Sequence, residues 1–292
     1  MKTRKDSDNS NKRPLIPIAV FCVIIAALFV GTFLTRSVRS GETIKAVMKD
    51  AVLHDAVKIS LFGWRDVNPG LISAFTVTGV IIVFSLIVRI FVIPRFSMVP
   101  GKFQSLLEAG VGLFDGLAKS NSPHRNNFLG AYIFTAGTYI FIGTLFELFG
   151  VQAVTTAGSS VSLPAPLSDI NGAICLGVLS YCVILSGGLV ANGLRGVGQT
   201  LKDFSLPISM SFRLFGALLS GALVTELVYY YFNLSFGLPV IVGVLFTLLH
   251  ALIQAYVLTM LTSLFYGEVT EPHVKKKRQK KSSKKISEVP TS

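Results

Sequence analysis

One residue in this sequence stands out because it places a permanent charge inside an apolar stretch. Arg213 lies in the run SMSFRLFGALLSGALV, and the nine positions on either side of it hold no acidic residue. An arginine near the centre of a bilayer is costly, and it cannot lose its proton to avoid that cost. A position near a helix end, from which the side chain reaches the interface, is the simpler interpretation. The alternative is a functional cation that meets a mobile carboxylate.

Small residues follow Arg213 at helical spacing. Gly216, Ala217, Ser220 and Gly221 come three, four, seven and eight positions later, so they share its face of a helix. Such a stripe lets another helix approach closely, and ordinary tight packing explains many stripes of this kind. Beside a fixed cation, the same flat surface also suits transient contact with a passing carboxylate.

The last apolar stretch carries a second polar stripe. Thr247, His250 and Gln254 are spaced by three and four, which puts them on one helical face, and Glu226 lies on the preceding stretch. Counted from the turn between the two stretches, Arg213 and Gln254 lie about 33 and 29 Å along their helices and should stand at similar depth. A Glu and a His inside a bilayer can form a water-lined proton relay. A hydrogen-bonded pair that locks the two helices together is the alternative.

The elements that position these residues must lie in a membrane. The chain has 292 residues, of which 51% are apolar and 14% charged, and its mean hydropathy is +0.63. Charged residues make up about a quarter of a typical soluble domain. The net charge of +12 is concentrated in the two tails, which indicates cytoplasmic flanks rather than nucleic-acid binding. The three cysteines lie in apolar runs without CxxC spacing, and no metal-ligand spacing occurs, so we expect no cofactor or metal.

The sequence predicts an all-α polytopic membrane protein with about six transmembrane helices, an amphipathic surface helix and a long, tilted C-terminal helical hairpin. Residues 15–35 are the predicted first span, and a signal sequence is the alternative for this stretch. Gly101 to Ser120 has helical apolar periodicity and is the predicted surface helix. The later spans are predicted at residues 71–92, 128–149, 174–194, 206–232 and 238–266.

The predicted organisation has five parts. A basic cytoplasmic tail is followed by the first transmembrane helix, an extramembrane segment, a membrane core and a second basic cytoplasmic tail, at residues 1–13, 14–35, 36–70, 71–268 and 269–292. Both termini are expected in the cytoplasm, because the loops after the third and fifth spans carry no Lys or Arg. The basic residues of segment 36–70 oppose this arrangement.

At these residues the sequence resembles subunit a of F-type ATP synthases. The resemblance runs from about Val99 to Glu268, and an RLFG motif followed some forty residues later by QAY is its most specific feature. The segments that carry it are VPGKFQSLLE at 99–108, LSDIN at 167–171, LPISMSFRLFG at 206–216 and IQAYVLTMLT at 253–262.

The resemblance implies a role for each matching residue. Arg213 matches the family's essential arginine, which faces the ion-binding carboxylate of the c-ring, and Gln254 matches the glutamine beside it. The small-residue stripe would then face the ring. Asp169 and Asn171 match a polar loop near the aqueous side.

The chain also departs from the family pattern. The family has Asn where this chain has Ala217, and its half-channel Glu/His pair falls at Ala222 and Thr247, which cannot titrate. Glu226 and His250, about one turn away, are the predicted substitutes. An acidic residue expected at Gln199 has its nearest equivalent at Asp203.

The function implied is that of the stator subunit a in the membrane sector of a rotary ATP synthase in the plasma membrane, which provides half-channels for H⁺ or Na⁺. The chain itself would do no catalytic chemistry, and it lacks a phosphate-binding GxxxxGK[ST] loop. The implied partners are c-ring proteolipids, b-type peripheral stalk subunits, the soluble F1 sector and lipid. A stand-alone secondary transporter or channel, with Arg213 binding an anionic substrate, is the main alternative.

Overall fold

The computed structural model describes residues 59–61, 64–154, 160–230 and 238–271, together with five isolated helical positions between 21 and 30. The predicted tail at 1–13, most of the predicted first span at 14–35, most of segment 36–70, and the C-terminal tail from 272 onward lie outside the described residues.

Within the described ranges the protein is helical, with short strand pairs in two loops. The strands are β1 (Ile59–Leu61), β2 (Trp64–Val67), β3 (Gln152–Val154) and β4 (Ser160–Ser162), which pair as two antiparallel hairpins. The helices are α1 (Pro69–Ile87), α2 (Lys102–Asn121), α3 (Asn127–Leu145), α4 (Ile170–Asn192), α5 (Leu194–Lys202), α6 (Ser205–Tyr230) and α7 (Leu238–Thr270).

Five of the described helical segments are long and apolar enough to cross a membrane, and they correspond to the second through sixth predicted spans. The all-α polytopic class is therefore confirmed. The fourth span starts four residues earlier than expected, at Ile170. The helix α7 has 33 residues, which is about 50 Å rather than the roughly 40 Å expected. The crossing segments are Pro69–Arg95, Phe128–Phe149, Ile170–Asn192, Ser205–Thr225 and Val240–Thr270.

Side-chain caps start α1 and α4 at the same end of the bundle. The Asn68 side chain accepts a hydrogen bond from the Gly70 N–H at 2.8 Å, and the Asp169 carboxylate accepts one from the Asn171 N–H at 3.2 Å. These bonds satisfy backbone donors that a helix leaves free at its start. An added Cβ at Gly70 would lie 2.9 Å from the Asp169 Cβ, so the two helix starts touch. We call this the Asp169 end.

The opposite end, the Asn192 end, holds the last turns of α4 and α7. The Asn192 side-chain amide donates to the Val269 carbonyl at 2.8 Å. At this end Gly193, with φ of +61°, turns the chain into α5. The helix α5 then folds back along α4, and the Tyr181 hydroxyl donates to the Thr200 carbonyl at 3.1 Å. The backbones approach so closely that Gly188 and Gly196 leave no room for a side chain between them.

The predicted surface helix is present as α2, and its two halves differ. Phe114 and Leu117 pack against the core formed by α3, α4, α6 and α7, whereas Phe103 and Leu106 are exposed. The Asn121 amide of the same helix donates to the Ser263 hydroxyl on α7 at 3.2 Å. Its C-terminal half is therefore fixed to the bundle, while the apolar residues of its first half remain free to contact lipid.

Candidate ion-translocation site

Arg213 points away from the helix bundle. On α6, the neighbouring side chains Met210, Ser211 and Leu214 are buried, whereas Arg213 and Phe212 are exposed. The buried face is seated on α4, where a Cβ at Gly177 would run into the Ser211 hydroxyl. The guanidinium is therefore presented on the free face of α6.

The small-residue stripe lies on or beside this free face. Gly216 and Ser220 are exposed like Arg213, and Ala217 and Gly221 are half-buried at the edge that adjoins α7. An added Cβ at Gly216 would meet no atom within 4 Å. The surface beside the cation is flat and open, as close approach of another helix requires.

The structure provides no carboxylate for Arg213 among the described residues. The ion pair that the described residues do form is elsewhere, between Lys119 and Asp115 on α2, at 2.5 Å. Glu226 is on the same helix as Arg213 but thirteen residues further along, which is about 20 Å. A lone guanidinium on an apolar surface is costly within a bilayer. Its counter-charge therefore does not come from the described residues.

Gln254 differs from Arg213 in being buried. Its side chain is 5% exposed, and its Oε1 atom has no hydrogen-bond partner in the described part of the chain. A buried carbonyl oxygen without a donor costs about 1–3 kcal/mol. This acceptor is thus available to a donor that the described residues do not supply, such as water.

Gly221 and His250 fix the register of the α6–α7 hairpin. A Cβ at Gly221 would lie 3.6 Å from Nδ1 of His250, so the two residues face each other. Arg213 lies eight residues before Gly221, and Gln254 lies four residues after His250. The four-residue difference corresponds to about 6 Å along the hairpin, so Arg213 and Gln254 stand within about one turn in depth.

The remaining predicted relay residues lie nearer the turn of the hairpin. His250 is half-buried and its ring packs beside Phe246, with ring centroids 5.9 Å apart. Thr247 is also half-buried, one turn before His250. Glu226 occupies α6 five residues beyond Gly221. The structure thus places these residues along one stretch of the hairpin between Arg213 and the turn.

The supporting polar residues occupy opposite ends of the molecule. Asp169 accepts from both the backbone and the side-chain amide of Asn171, the latter at 3.3 Å, and so works as a helix cap at the Asp169 end. Asp203 follows α5 and lines an open polar cleft of about 660 Å³. The cleft is bounded by Arg195, Gly198, Gln199, Lys202, Asp203 and Glu268.

Two features of the site were missed from the sequence. The cleft depends on the fold-back of α5, which no pattern in the sequence signalled. Glu147, near the end of α3, did carry a signal, because it is the one acidic residue in the run 127–149. In the described ranges, no group of three or more His, Cys, Asp or Glu side chains is placed to hold a metal ion.

The fold and the site together define a class of protein. It is a polytopic helical membrane protein in which Arg213, without an ion-pair partner among the described residues, lies on an open helix face. The sequence model of the ATP synthase A chain family matches residues 72–267, and the chain belongs to this family. Among curated relatives, ATP synthase subunit a from two strains of Cereibacter sphaeroides is 26% identical over 183 residues, which cover 59% of this chain and 70% of the relative. The chain is accordingly an ion-translocating component of the membrane sector of an ATP synthase.

Proposed function

We propose that this chain is the stationary partner of a rotating ring of proteolipids, and that it moves H⁺ or Na⁺ between two half-channels by way of Arg213. The observation that carries the proposal is the exposed guanidinium on a small-residue face, without a carboxylate partner among the described residues. A carboxylate on a neighbouring ring would supply the missing counter-charge.

The exchange of ions follows from the electrostatics of a carboxylate in lipid. A ring carboxylate that faces lipid must be neutral, either protonated or paired with an ion, because a bare charge is costly there. Opposite Arg213 the nearby positive charge favours the ionised carboxylate, so the ion is released. The same cation repels H⁺ and Na⁺ and thereby separates the two half-channels.

The outward half-channel would run along the hairpin through Glu226, Thr247 and His250, which lie between Arg213 and the turn. The inward half-channel would begin at the polar cleft that contains Asp203 and Glu268. Gln254, with its unpartnered Oε1, would accept a hydrogen bond from water in the path. In this arrangement Asp169 and Asn171 support the outer mouth.

The distribution of charge supports an orientation with the Asn192 end in the cytoplasm. The residues near that end include Arg125, Arg195 and Lys202. Between Arg125 and Arg195, a stretch that includes the loop to the Asp169 end, the sequence contains no Lys, Arg or His. Cytoplasmic segments retain basic residues during insertion. We therefore place both termini in the cytoplasm and the protein in the plasma membrane.

Co-purification tests the proposal directly. A tagged chain extracted in mild detergent should bring with it a small proteolipid ring, b-type peripheral stalk subunits and the soluble F1 ATPase sector, identified by mass spectrometry. A chain that purifies alone from membranes containing those subunits would contradict the proposal and favour a stand-alone transporter.

A further inference from the structure

Glu147 occupies an unusual position for a carboxylate in a membrane protein. It lies in the 3-10 turn Phe146–Phe149 that ends the crossing segment Phe128–Phe149, and Gly150 with φ of +57° closes this turn. Glu147 is half-buried, whereas the next two residues, Leu148 and Phe149, are 39% and 75% exposed. The more hydrophilic side chain is thus the less exposed one, which is the reverse of the order expected at a surface that faces water.

The packing of α3 on α7 sets the depth of Glu147. The two helices are antiparallel, since Ser122 just before α3 pairs with Thr270 at the end of α7 at 3.3 Å. Further along, a Cβ at Gly137 would lie 3.1 Å from Cγ2 of Thr259. Glu147 comes ten residues after Gly137, and the residue ten positions before Thr259 is the immediate neighbour of His250. Glu147 and His250 therefore stand at the same depth.

The 3-10 turn that carries Glu147 also lies against α7. On the other helix of the hairpin, Gly221 contacts His250, so near this level α7 packs against both the end of α3 and α6. The neighbouring hairpin residues Ala222 and Thr247 have no ionisable side chain. Among the described residues at this depth, Glu147 and His250 thus have the ionisable side chains.

No described basic side chain forms an ion pair with Glu147. It lies near the Asp169 end, where Gly143 on α3 packs against Pro166, at 3.6 Å for an added Cβ. The segment that follows, Gln152 to Ser162, is uncharged and contains six Gln, Thr and Ser side chains. The carboxylate is therefore followed in the sequence by an uncharged polar segment, and it lies level with an imidazole. An ionisable group within a crossing segment is by default a candidate for an ion pathway.

We propose that Glu147 is the outer carboxylate of the relay, which passes protons between water at the Asp169 end and His250. The proposal rests on the function proposed above. A proton from outer water binds the Glu147 carboxylate, passes through water to an imidazole nitrogen of His250, and from there goes to the carboxylate of the partner ring. Glu147 returns to its ionised form, and no other bond changes. Flow in the other direction reverses each step.

The test compares three variants in membrane vesicles with the assembled complex. Glu147→Gln keeps the shape of the side chain but cannot carry a proton, and it should lower proton-driven ATP synthesis per assembled complex about tenfold or more, as loss of a proton-transfer group does. Glu147→Asp should restore most of the rate. Asp115→Asn, the same carboxylate-to-amide change at a half-exposed site on α2, should leave the rate unchanged. ATP hydrolysis by the bound soluble sector measures assembly and should be similar in all three.

Unchanged synthesis in Glu147→Gln would overturn the relay role. Arg213→Lys, measured in the same vesicles, separates this result from failure of the proposed function: if Arg213→Lys abolishes synthesis and Glu147→Gln does not, only the role of Glu147 is wrong. A second measurement uses the unaltered chain. A water-soluble carbodiimide with an amine, added from the outer side, should modify Glu147, as seen by mass spectrometry. Absence of modification in the assembled complex would show that outer water does not reach this carboxylate and would overturn the proposal.

Discussion

Gly221 and His250 face each other across the α6–α7 hairpin, with 3.6 Å between an added Cβ at Gly221 and Nδ1 of the imidazole. This distance is ordinary van der Waals contact, so one methyl group fits and a larger side chain does not. The position of the imidazole, level with the proposed outer half-channel, is therefore coupled to the size of residue 221.

Gly221→Ala should keep near-normal coupled ATP synthesis, whereas Gly221→Leu should reduce it severalfold by displacing the His250 ring. Forcing extra methylene groups into a packed contact costs about 1–3 kcal/mol. Proton-driven ATP synthesis in vesicles, normalised to assembled complex, measures the difference. Equal rates for the two variants would mean that the position of the ring does not matter for ion flow.

Arg213→Lys should abolish coupled synthesis while the complex still assembles. An ammonium is a compact point charge that can lose its proton when desolvated, whereas a guanidinium remains charged and presents a wide fork of donors. Arg213→Ala should go further and make vesicles passively leaky to the coupling ion, because the barrier between the half-channels is removed. A Lys variant that retains most of the coupled activity would instead indicate that the Arg213 side chain only extends to the membrane–water interface.

Glu226→Gln and His250→Ala should each slow ion-driven synthesis without loss of assembly. The expectation follows from their position on the hairpin between Arg213 and the turn, where titratable groups can relay protons. Synthesis rates and the amount of bound soluble sector are compared with those of the unaltered chain. Wild-type rates in both variants would assign the two residues a purely structural role.

Gly187→Ala should destabilise the bundle. A Cβ at Gly187 would run into the aromatic ring of Tyr266, where α4 crosses α7. Gly79→Ala on α1 is the matched control, because a Cβ there meets no atom within 4 Å. Overpacking of this kind costs about 1–3 kcal/mol. Thermal unfolding of the purified complex should show a lower midpoint for Gly187→Ala, and equal midpoints would mean that Tyr266 moves aside freely.

Cysteines placed at Ser159 and Ser292 test the orientation. With both termini in the cytoplasm, a membrane-impermeant thiol reagent added to intact cells should label position 159 and leave position 292 unlabelled. The physical reason is the concentration of basic residues in the tails and their absence from the loops after the third and fifth spans. Labelling of position 292 but not of position 159 would place the termini outside the cell. The outward and inward half-channels proposed above would then have to be exchanged.

The spans could be predicted because apolar runs of about twenty residues admit few structures in a bilayer. The grouping of residues on α6 could also be predicted from the sequence. Helical spacing places Arg213, Gly216 and Ser220 on one face, and all three are exposed in the structure. The sequence could not reveal which face of α6 is free, since this depends on Ser211 meeting Gly177 on another helix.

Contacts between distant segments account for what the sequence did not reveal. The fold-back of α5 depends on the approach of Gly196 to Gly188, and two glycines eight residues apart have no distinctive local pattern. Glu147 was visible as an isolated acid, but its depth relative to His250 follows from the antiparallel packing of α3 and α7, which single-helix periodicity does not encode.

The free face of α6 also bears on the order in which the complex is built. A chain inserted alone would expose Arg213 to lipid, at a cost that docking against a carboxylate-bearing ring would remove. The stability of the inserted chain should then depend by mass action on the amount of ring available to bind it. Under the proposed function, a chain made in excess of that ring would therefore be less stable in the bilayer than the assembled chain.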